Sequence, residues 1–357
     1  MRILHILNHV QEIGNGIVNV AIDLACLQAK AGYEVAIASA GGEYEELMAR
    51  YGVMHCKLDQ ARTPINLLKA AARYRAIVQE FQPDIVHAHM MTGVVLARVL
   101  RVGFGYALVS TVHNEFQRSA ILMGWADRVI AVSHAVAQSM VRRGISENKL
   151  RVVNNGTLGS PRTRQLKEYQ AIPLQRPAIA TVAGMYRRKG IAELIEAFAQ
   201  IAADFPDAHL YLVGNGPDRE VFEAQAQSTL VSDRIHFEGF QLEPQRYLLA
   251  TDIFVLASHR DPSPLVIPEA REAGCAIIAS DVDGIPEALD GGQAGLLIPS
   301  QDSQALTAAL IQLLSDPNLL DRRKDQAKNN LDRLNVSRVN EETFAVYCEL
   351  TTDKFQT

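Results

Sequence analysis

Short apolar runs recur along the whole chain and are separated by stretches with helical periodicity. In the first half of the chain they occupy residues 2–8, 33–39, 53–58, 84–89, 107–113 and 128–133. In the second half they occupy residues 178–184, 210–213, 235–237, 253–257 and 275–279. Runs rich in β-branched residues that alternate with helices are typical of strands buried on both faces of a parallel sheet. The pattern therefore predicts an α/β fold with two doubly wound sheets.

The apolar pattern lapses between Asn154 and Pro177, where glycine, proline, arginine and glutamine dominate. Such composition is typical of a linker between domains. We therefore predict an N-terminal domain over residues 1–160, a linker over 161–177 and a C-terminal domain over 178–336. A final helix over 337–352 carries apolar side chains and is expected to pack back on the N-terminal domain.

Composition narrows the class of protein. The length of 357 residues exceeds the usual size of a single core, and a net charge of -5 argues against a nucleic-acid partner. The four cysteines show neither CxxC nor zinc spacing, which favours reduced thiols in a cytoplasmic protein. His5 and Asn8 interrupt the first apolar run, which is expected to be a strand and not a signal peptide. No apolar run is long enough to cross a bilayer.

Two carboxylates stand eight residues apart in the stretch from Ser258 to Glu287. Asp261 is predicted in a turn after a strand, and Glu269 in the helix that follows. Open α/β sheets bind ligands at the carboxyl ends of their strands. Both carboxylates are therefore candidate ligand-binding residues.

A basic turn follows the first strand of the second half. It begins at Gly184, contains Arg187, Arg188 and Lys189, and leads into a helix. Cations beside the N–H groups of a helix N-terminus suit a diphosphate, and a solvated basic loop is the alternative. The turn after the next strand begins at Gly214, where glycine lets the backbone approach a ligand closely.

The first strand of the chain leads into the loop Gly14-Asn15-Gly16 and then a helix. This order favours an anion at the helix N-terminus, although a simple turn is the alternative. The dinucleotide fingerprint GxGxxG is absent because Asn19 replaces its third glycine, which argues against a nicotinamide enzyme. His113 ends a strand at the expected ligand edge, where its imidazole can donate to a phosphate or a sugar hydroxyl.

Further polar residues at strand ends have structural interpretations. His87 and His89 point to the same side of one strand and would suit a metal pair. No third ligand is evident, so we interpret them as hydrogen-bonded structural histidines. Ser133 is interpreted as a helix N-cap and not as a nucleophile, because the chain contains no GxSxG elbow.

The helix around residues 65–81 carries the cations Lys69, Arg73 and Arg75 beside several leucine, isoleucine and valine side chains. A helix that packs on the sheet and exposes a solvated basic face is the favoured interpretation. A helix that faces a membrane is the alternative.

Taken together, the motifs resemble glycosyltransferase family 4, the retaining enzymes of the GT-B fold. The likeness covers nearly the whole chain and rests on the loop at 14–16, DIVHAH at 84–89, TVH at 111–113, IAVS at 130–133, Asn155-Gly156, RRKG at 187–190, GNGP at 214–217, the acidic pair and GIPE at 284–287. It implies two Rossmann-like domains that face each other across a cleft. It also implies a nucleotide diphosphate sugar as the donor and no metal.

The resemblance implies a role for each candidate residue. Arg188 and Lys189 would hold the donor diphosphate, with Arg187 as the alternative to Arg188. Glu269 would bind the ribose diol of the nucleotide through two accepted hydrogen bonds, and Asp261 would contact hydroxyls of the transferred sugar. His113 would lie near that sugar and the phosphate. The remaining donor-binding residues would be Gly14, Asn15, Gly16, Gly184, Gly214, Ser263, Pro264 and Leu265.

The chain departs from the family pattern at two positions. Asp261 stands where the family usually has glutamate, so its carboxylate is one methylene shorter. Met185 follows Gly184 where the family often has arginine, which leaves open whether Arg187 or Arg188 binds the diphosphate. In addition, Pro264 removes a backbone donor from the turn that would face the sugar.

The expected function is transfer of a hexosyl unit, with retention, from a nucleotide diphosphate sugar to a glycan, lipid-linked or small-molecule acceptor. The expected location is the cytoplasm or the inner face of a membrane, and the expected setting is polysaccharide biosynthesis. The alternatives are a nucleotide-sugar epimerase, a phosphorylase of the same architecture, and a degenerate binding protein without catalysis.

Overall fold

The chain folds as two separate parallel-sheet units. The computed structural model describes residues 1–61 and 63–351, so that Thr352, the last residue of the predicted final helix, lies outside the described residues. The first unit comprises Met1–Thr163 and the residues from Asn335 on, and the second comprises Arg164–Leu334. The predicted linker 161–177 is therefore divided between the two units after Thr163. The prediction of two doubly wound α/β domains is confirmed.

The first unit contains a seven-stranded parallel sheet in the order β3-β2-β1-β4-β5-β6-β7. Its strands are β1 Arg2–Ile6, β2 Glu34–Ser39, β3 Met54–Lys57, β4 Ile85–Ala88, β5 Ala107–Val112, β6 Arg128–Ala131 and β7 Leu150–Val152. Its helices are α1 Gly16–Lys30, α2 Glu45–Arg50, α3 Pro64–Phe81, α4 Met91–Val99, α5 His134–Arg142 and the C-terminal helix α13 Val336–Thr351, together with a 3-10 helix at Arg118–Trp125.

The second unit contains a six-stranded parallel sheet in the order β10-β9-β8-β11-β12-β13. Its strands are β8 Ala178–Val182, β9 His209–Val213, β10 Ile235–Gly239, β11 Ile253–Leu256, β12 Ala276–Ser280 and β13 Leu296–Ile298. Its helices are α6 Ile191–Ile201, α7 Arg219–Gln227, α8 Gln245–Leu248, α9 Val266–Ala273, α10 Ile285–Ala288, α11 Ser303–Ser315 and α12 Pro317–Ala327.

The central strands of both sheets are buried on their two faces, as the apolar runs indicate. β5 and β12 are buried along their whole length, and the helices on either side cover them. The strand order reverses direction between β1 and β4 in the first unit and between β8 and β11 in the second. Doubly wound sheets bind ligands in the crevice at such a switch point, outside the carboxyl ends of the strands. The topology thus predicts one ligand edge in each unit.

Helix ends and the C-terminal helix follow from local chemistry. The Asn15 side chain accepts from the Ile17 N–H and begins α1, and the Ser133 hydroxyl accepts from the Val136 N–H and begins α5. The interpretation of Ser133 as an N-cap is therefore confirmed. α13 packs on α1, where Phe344 stacks on Tyr33 with ring centroids 4.7 Å apart. Within the described residues, no helix is both long and apolar enough to cross a membrane.

Candidate active site

The candidate residues of the second unit follow three neighbouring strands. β8 pairs with β9 on one side and with β11 on the other. The basic turn follows β8, the turn at Gly214 follows β9, and the turn of Asp261 follows β11. Because the strands are parallel, their carboxyl ends lie at the same edge of the sheet. The topology therefore brings these three loops together at the switch point.

The basic turn is fixed by glycine. Arg187–Lys189 form a single 3-10 turn that ends at Gly190, whose φ is 68°. A Cβ on Gly190 would lie 1.8 Å from the Ala257 carbonyl oxygen, so no other residue fits without moving the backbone. α6 begins at the next residue, Ile191, so the three cations lie immediately before a helix N-terminus.

The structure joins two residues for which the resemblance implies different roles. Lys189 Nζ lies 2.5 Å from Asp261 Oδ2, and the two side chains are only 15% and 8% exposed. The Ser258 hydroxyl lies 3.4 Å from the same carboxylate oxygen. Lys189 is thus held by a nearly buried ion pair, and its charge is already balanced at the ligand edge.

The two arginines of the basic turn have different surroundings. The backbone N–H of Arg187 donates to Asp218 Oδ2 at 2.9 Å, while its side chain is 76% exposed. Arg188 is half-buried, its Nη1 lies 3.5 Å from the Arg260 carbonyl oxygen, and its guanidinium lies 5.5 Å from the centroid of the Tyr186 ring. Both remain candidates for an anion.

Asp283 holds the turn of Asp261 in place and was missed by sequence reasoning. Its carboxylate accepts from the Asp261 backbone N–H at 2.9 Å and from Arg260 Nε at 2.8 Å. The Gly284 N–H donates to the Asp261 carbonyl oxygen at 3.2 Å. Asp281 and Asp283 have the spacing of an Asp-x-Asp cation motif, but the bonds of Asp283 give it a structural role in this turn. The GIPE segment at 284–287, which directly follows Asp283, was the signal in the sequence that could have pointed to this residue.

The remaining candidates of the second unit surround α9 and the glycine turns. Ser263, Pro264 and Leu265 lead directly into α9, and Glu269 lies half-buried inside it. A Cβ on Gly214 would lie 2.0 Å from the Ala183 carbonyl oxygen, which shows how closely the turns after β8 and β9 approach each other. At Gly184, a Cβ would lie 2.7 Å from the Tyr186 ring.

In the first unit, His113 lines a pocket of about 180 Å³. Ile17, the residue after the loop Gly14-Asn15-Gly16, lines it together with Asn8, His89, Thr92, His113 and Asn114. Gly14 has a φ of 69°, a conformation that favours glycine. These residues follow β1, β4 and β5, so the pocket lies at the switch point of the first sheet.

Four histidines form a hydrogen-bonded cluster at this pocket, where His5, His87 and His89 are buried and His113 is half-buried. His5 pairs with His87 across β1 and β4, and His89 lies at the end of β4. His5 Nδ1 lies 3.0 Å from His89 Nε2, and His89 Nδ1 lies 3.1 Å from His113 Nε2. The interpretation of His87 and His89 as hydrogen-bonded histidines is confirmed.

Burial keeps these imidazoles neutral. Desolvation lowers the pKa of His5 to about 4 and the pKa of His113 to about 3. It also holds the pKa values of His87 and His89 well below the ordinary value, and the neighbouring histidines reinforce the shift. All four rings are therefore uncharged at neutral pH.

The expectation that His87 and His89 have no third partner is wrong, because β1 places His5 beside them. The ligand nitrogens of His5, His87 and His89 all lie within 4.8 Å of one another. Each of their six ring nitrogens has a hydrogen-bond partner at 3.1 Å or less. A metal would have to displace such a partner at every ligand. The position of His5 in β1, level with His87 in β4, was the signal that the sequence-based interpretation overlooked.

The two sheets and their ligand edges define a protein with the GT-B architecture of glycosyltransferases. The crystal structure of Anabaena HepE in complex with UDP and glucose superposes with a TM-score of 0.83 at 19% sequence identity. The match covers 97% of this chain and 99% of HepE. The expected GT-B fold is therefore confirmed.

Sequence relatives identify the family. A family profile described as "Glycosyltransferase Family 4" matches residues 14–157, and one described as "Glycosyl transferases group 1" matches residues 163–330. The lipopolysaccharide core biosynthesis glycosyltransferase LpsD of Rhizobium meliloti (strain 1021) is 34% identical over 254 residues, which are 70% of each chain. The chain belongs to glycosyltransferase family 4.

A second relative matches a shorter stretch. The lipopolysaccharide core biosynthesis glycosyltransferase LpsE of Rhizobium meliloti (strain 1021) is 27% identical over 186 residues. The aligned region is 52% of this chain and 53% of LpsE, so the chain spans about half the length of that relative.

Proposed function

We propose that the protein is a retaining glycosyltransferase that moves a hexosyl unit from a UDP-sugar to an acceptor. The observation that carries the proposal is the basic turn at the switch point of the second unit, where Lys189 and Asp261 form a nearly buried ion pair beside the start of α6. Cations and helix N–H groups at such an edge suit a diphosphate. The complex of HepE with UDP and glucose supports the choice of nucleotide.

In this proposal the basic turn stabilises the leaving group. Cleavage of the bond between sugar and phosphate develops negative charge on the departing diphosphate. Lys189 has three N–H donors and uses one on Asp261, so two remain for phosphate oxygens. Arg188 and the α6 N-terminus add positive potential, and preorganised charge of this kind lowers the barrier. In this proposal these groups stabilise the negative charge of the departing diphosphate without a metal.

The other residues would orient the two substrates. Glu269 would accept from the ribose hydroxyls, and Asp261 would accept from a hydroxyl of the transferred sugar while it holds Lys189. The loop Gly14–Gly16 and His113 would belong to the substrate site of the first unit, in the pocket of about 180 Å³. The acceptor would attack from the face of the leaving group, which retains the anomeric configuration.

Turnover assays test the proposal. The protein is incubated with a panel of UDP-sugars and acceptors, and mass spectrometry and NMR detect the product and its anomeric configuration. Transfer with retention, unchanged by a chelator, is the expected result. An isomerised donor without acceptor would indicate an epimerase, a requirement for free phosphate a phosphorylase, and calorimetric binding without turnover a binding protein.

We propose a lipid-linked glycan as the acceptor and a peripheral contact with the cytoplasmic face of a membrane. On α3, Ile65 is 71% and Leu68 is 75% exposed, and Lys69 and Arg73 are exposed beside them. Exposed apolar side chains with adjacent cations suit an anionic lipid surface. LpsD and LpsE are glycosyltransferases of lipopolysaccharide core biosynthesis, and this supports a lipid-linked acceptor in polysaccharide assembly.

Sedimentation with vesicles tests this location. The protein should sediment with phosphatidylglycerol vesicles and not with phosphatidylcholine vesicles, and Leu68→Ser should weaken the binding. Leu230→Ser, at an exposed leucine of the second unit, is the matched control. Equal binding of both variants would contradict the role of α3.

A further inference from the structure

A chain of three hydrogen bonds connects a buried glutamine with the imidazole that lines the pocket. Gln28 lies on α1 and is fully buried. Its Oε1 lies 2.8 Å from His5 Nε2, His5 Nδ1 lies 3.0 Å from His89 Nε2, and His89 Nδ1 lies 3.1 Å from His113 Nε2. Each ring nitrogen along this path either donates to the residue before it or accepts from the residue after it.

The amide oxygen at one end determines every proton along the chain. A neutral imidazole has one N–H donor and one acceptor nitrogen. Because Gln28 Oε1 only accepts, His5 must carry its proton on Nε2 and must accept with Nδ1. His89 is then protonated on Nε2 and accepts with Nδ1, and the same rule places the proton of His113 on Nε2. The Nδ1 of His113 is left as an acceptor.

A second branch continues from the amide nitrogen of Gln28. Gln28 Nε2 lies 3.5 Å from the Tyr347 hydroxyl oxygen, and that hydroxyl lies 2.6 Å from His87 Nδ1. His87 Nε2 lies 2.7 Å from Thr111 Oγ1. With the amide in this orientation, each group in both branches finds a donor or an acceptor of the correct kind. A flipped amide would reverse every donor and acceptor and would place the proton of His113 on Nδ1.

We propose that Gln28 is a positioning residue that sets the tautomer of His113 through His5 and His89. In the observed orientation His113 offers an acceptor nitrogen. The group that it receives is then a donor, such as a sugar hydroxyl, and not a phosphate oxygen, which has no proton to donate. This choice of ligand rests on the proposed function, whereas the tautomer itself does not.

Nitrogen NMR of protein labelled in its histidine rings tests the proposal directly. In the wild-type protein, we expect His113 to be neutral and protonated on Nε2, with its signal assigned by its loss in His113→Gln. Gln28→Met removes both polar atoms at similar volume and should give a mixture of tautomers at His113. Gln28→Glu keeps an acceptor for His5 and should restore the Nε2–H form.

Turnover gives a second readout. Loss of one oriented hydrogen bond should lower kcat/KM for the donor about fivefold in Gln28→Met, with recovery in Gln28→Glu. Gln60→Met is the matched control, because Gln60 is a buried glutamine of the same unit whose Nε2 donates to the Leu7 carbonyl oxygen, outside the histidine chain. It should leave the His113 signal unchanged.

Three results would overturn the proposal, which combines the role of Gln28 with the Nε2–H tautomer of His113. They are a wild-type His113 protonated on Nδ1, an identical His113 tautomer in wild type and Gln28→Met, and a stoichiometric metal in the purified protein that His5→Gln removes. A changed tautomer in Gln28→Met with unchanged turnover would support the role of Gln28 and would instead remove His113 from the proposed substrate site. The wild-type spectrum decides the question even where a variant does not fold.

Discussion

Mild acid should destabilise the first unit, because four histidines are neutral in its folded state. Burial lowers the pKa of His5 to about 4 and of His113 to about 3, and holds the pKa values of His87 and His89 well below the ordinary value. In the unfolded chain each imidazole regains a pKa of about 6.5. As the pH falls below that value, the unfolded chain binds more protons than the folded one, so the free energy of unfolding decreases.

The size of the effect follows from the number of histidines. Between about pH 6.5 and about pH 5.5, protonation of one unfolded imidazole stabilises the unfolded state by about 1 kcal/mol. Four histidines give about 4 kcal/mol, a large fraction of the roughly 5–15 kcal/mol that stabilises a typical domain. The loss continues as the pH falls to about 4, where His5 begins to bind a proton in the folded state.

The chain provides a specific probe for this experiment. Trp125 is its single tryptophan and lies in the 3-10 helix Arg118–Trp125 of the first unit. Urea unfolding followed by the fluorescence of Trp125 therefore reports on that unit. Its free energy of unfolding should fall by about 4 kcal/mol between about pH 6.5 and about pH 5.5.

Single-histidine variants provide the control. His89→Gln should reduce the pH-dependent difference to about 3 kcal/mol, whatever its effect on absolute stability. His134→Gln, at an exposed histidine of the same unit, is the matched variant outside the cluster, and its difference should exceed that of His89→Gln. Unfolding curves of the wild-type protein that coincide at the two pH values would refute the reasoning.

Three further predictions concern the second unit. Lys189→Met leaves the Asp261 carboxylate without its cation and should destabilise the unit by about 3 kcal/mol, as measured by circular dichroism in urea. The double variant with Asp261→Asn should regain most of the stability but should not bind UDP. Fully additive effects of the two substitutions on the free energy of unfolding would disprove the coupling. Glu269→Ala should weaken UDP binding by about 2 kcal/mol in calorimetry, whereas Glu272→Ala in the same helix should not. Gly190→Ala should lower the free energy of unfolding by at least about 2 kcal/mol more than Gly291→Ala does. Gly291 has nearly the same φ of 67°, but a Cβ there would meet nothing within 4 Å. Equal losses of stability would contradict the close contact at Gly190.

The sequence was sufficient to predict most of the fold, because eleven of the thirteen strands that the structure describes coincide with short apolar runs. The three-residue strands β7 and β13 were missed, because runs of that length carry little signal. Runs such as residues 107–113 and 275–279 are buried on both faces, and such strands have no solvent face that would interrupt their hydrophobicity. The N-cap role of Ser133 is equally local, since it depends on one hydroxyl and the N–H three residues on. Local signals of this kind need no knowledge of tertiary structure.

The partners of the candidate residues could not be predicted in the same way. Lys189 and Asp261 are 72 residues apart, and Gln28 and Tyr347 are 319 apart. Only the order of the strands and the packing of α13 on α1 bring such residues together. Separate motifs in the sequence suggested separate roles for Lys189 and Asp261, whereas the structure places the ammonium group of Lys189 against the carboxylate of Asp261.

The two units use opposite electrostatic designs at equivalent topological positions. At the switch point of the second unit, full charges balance each other in the pair of Lys189 and Asp261. At the switch point of the first, burial keeps His5, His89 and His113 neutral, and hydrogen-bond direction replaces charge. A charged pair suits an anion, because one ammonium can bind a carboxylate and a phosphate together. A neutral imidazole suits a hydroxyl, whose proton needs an acceptor. Each design matches the ligand group proposed for its own unit, which is a diphosphate in the second unit and a sugar hydroxyl in the first.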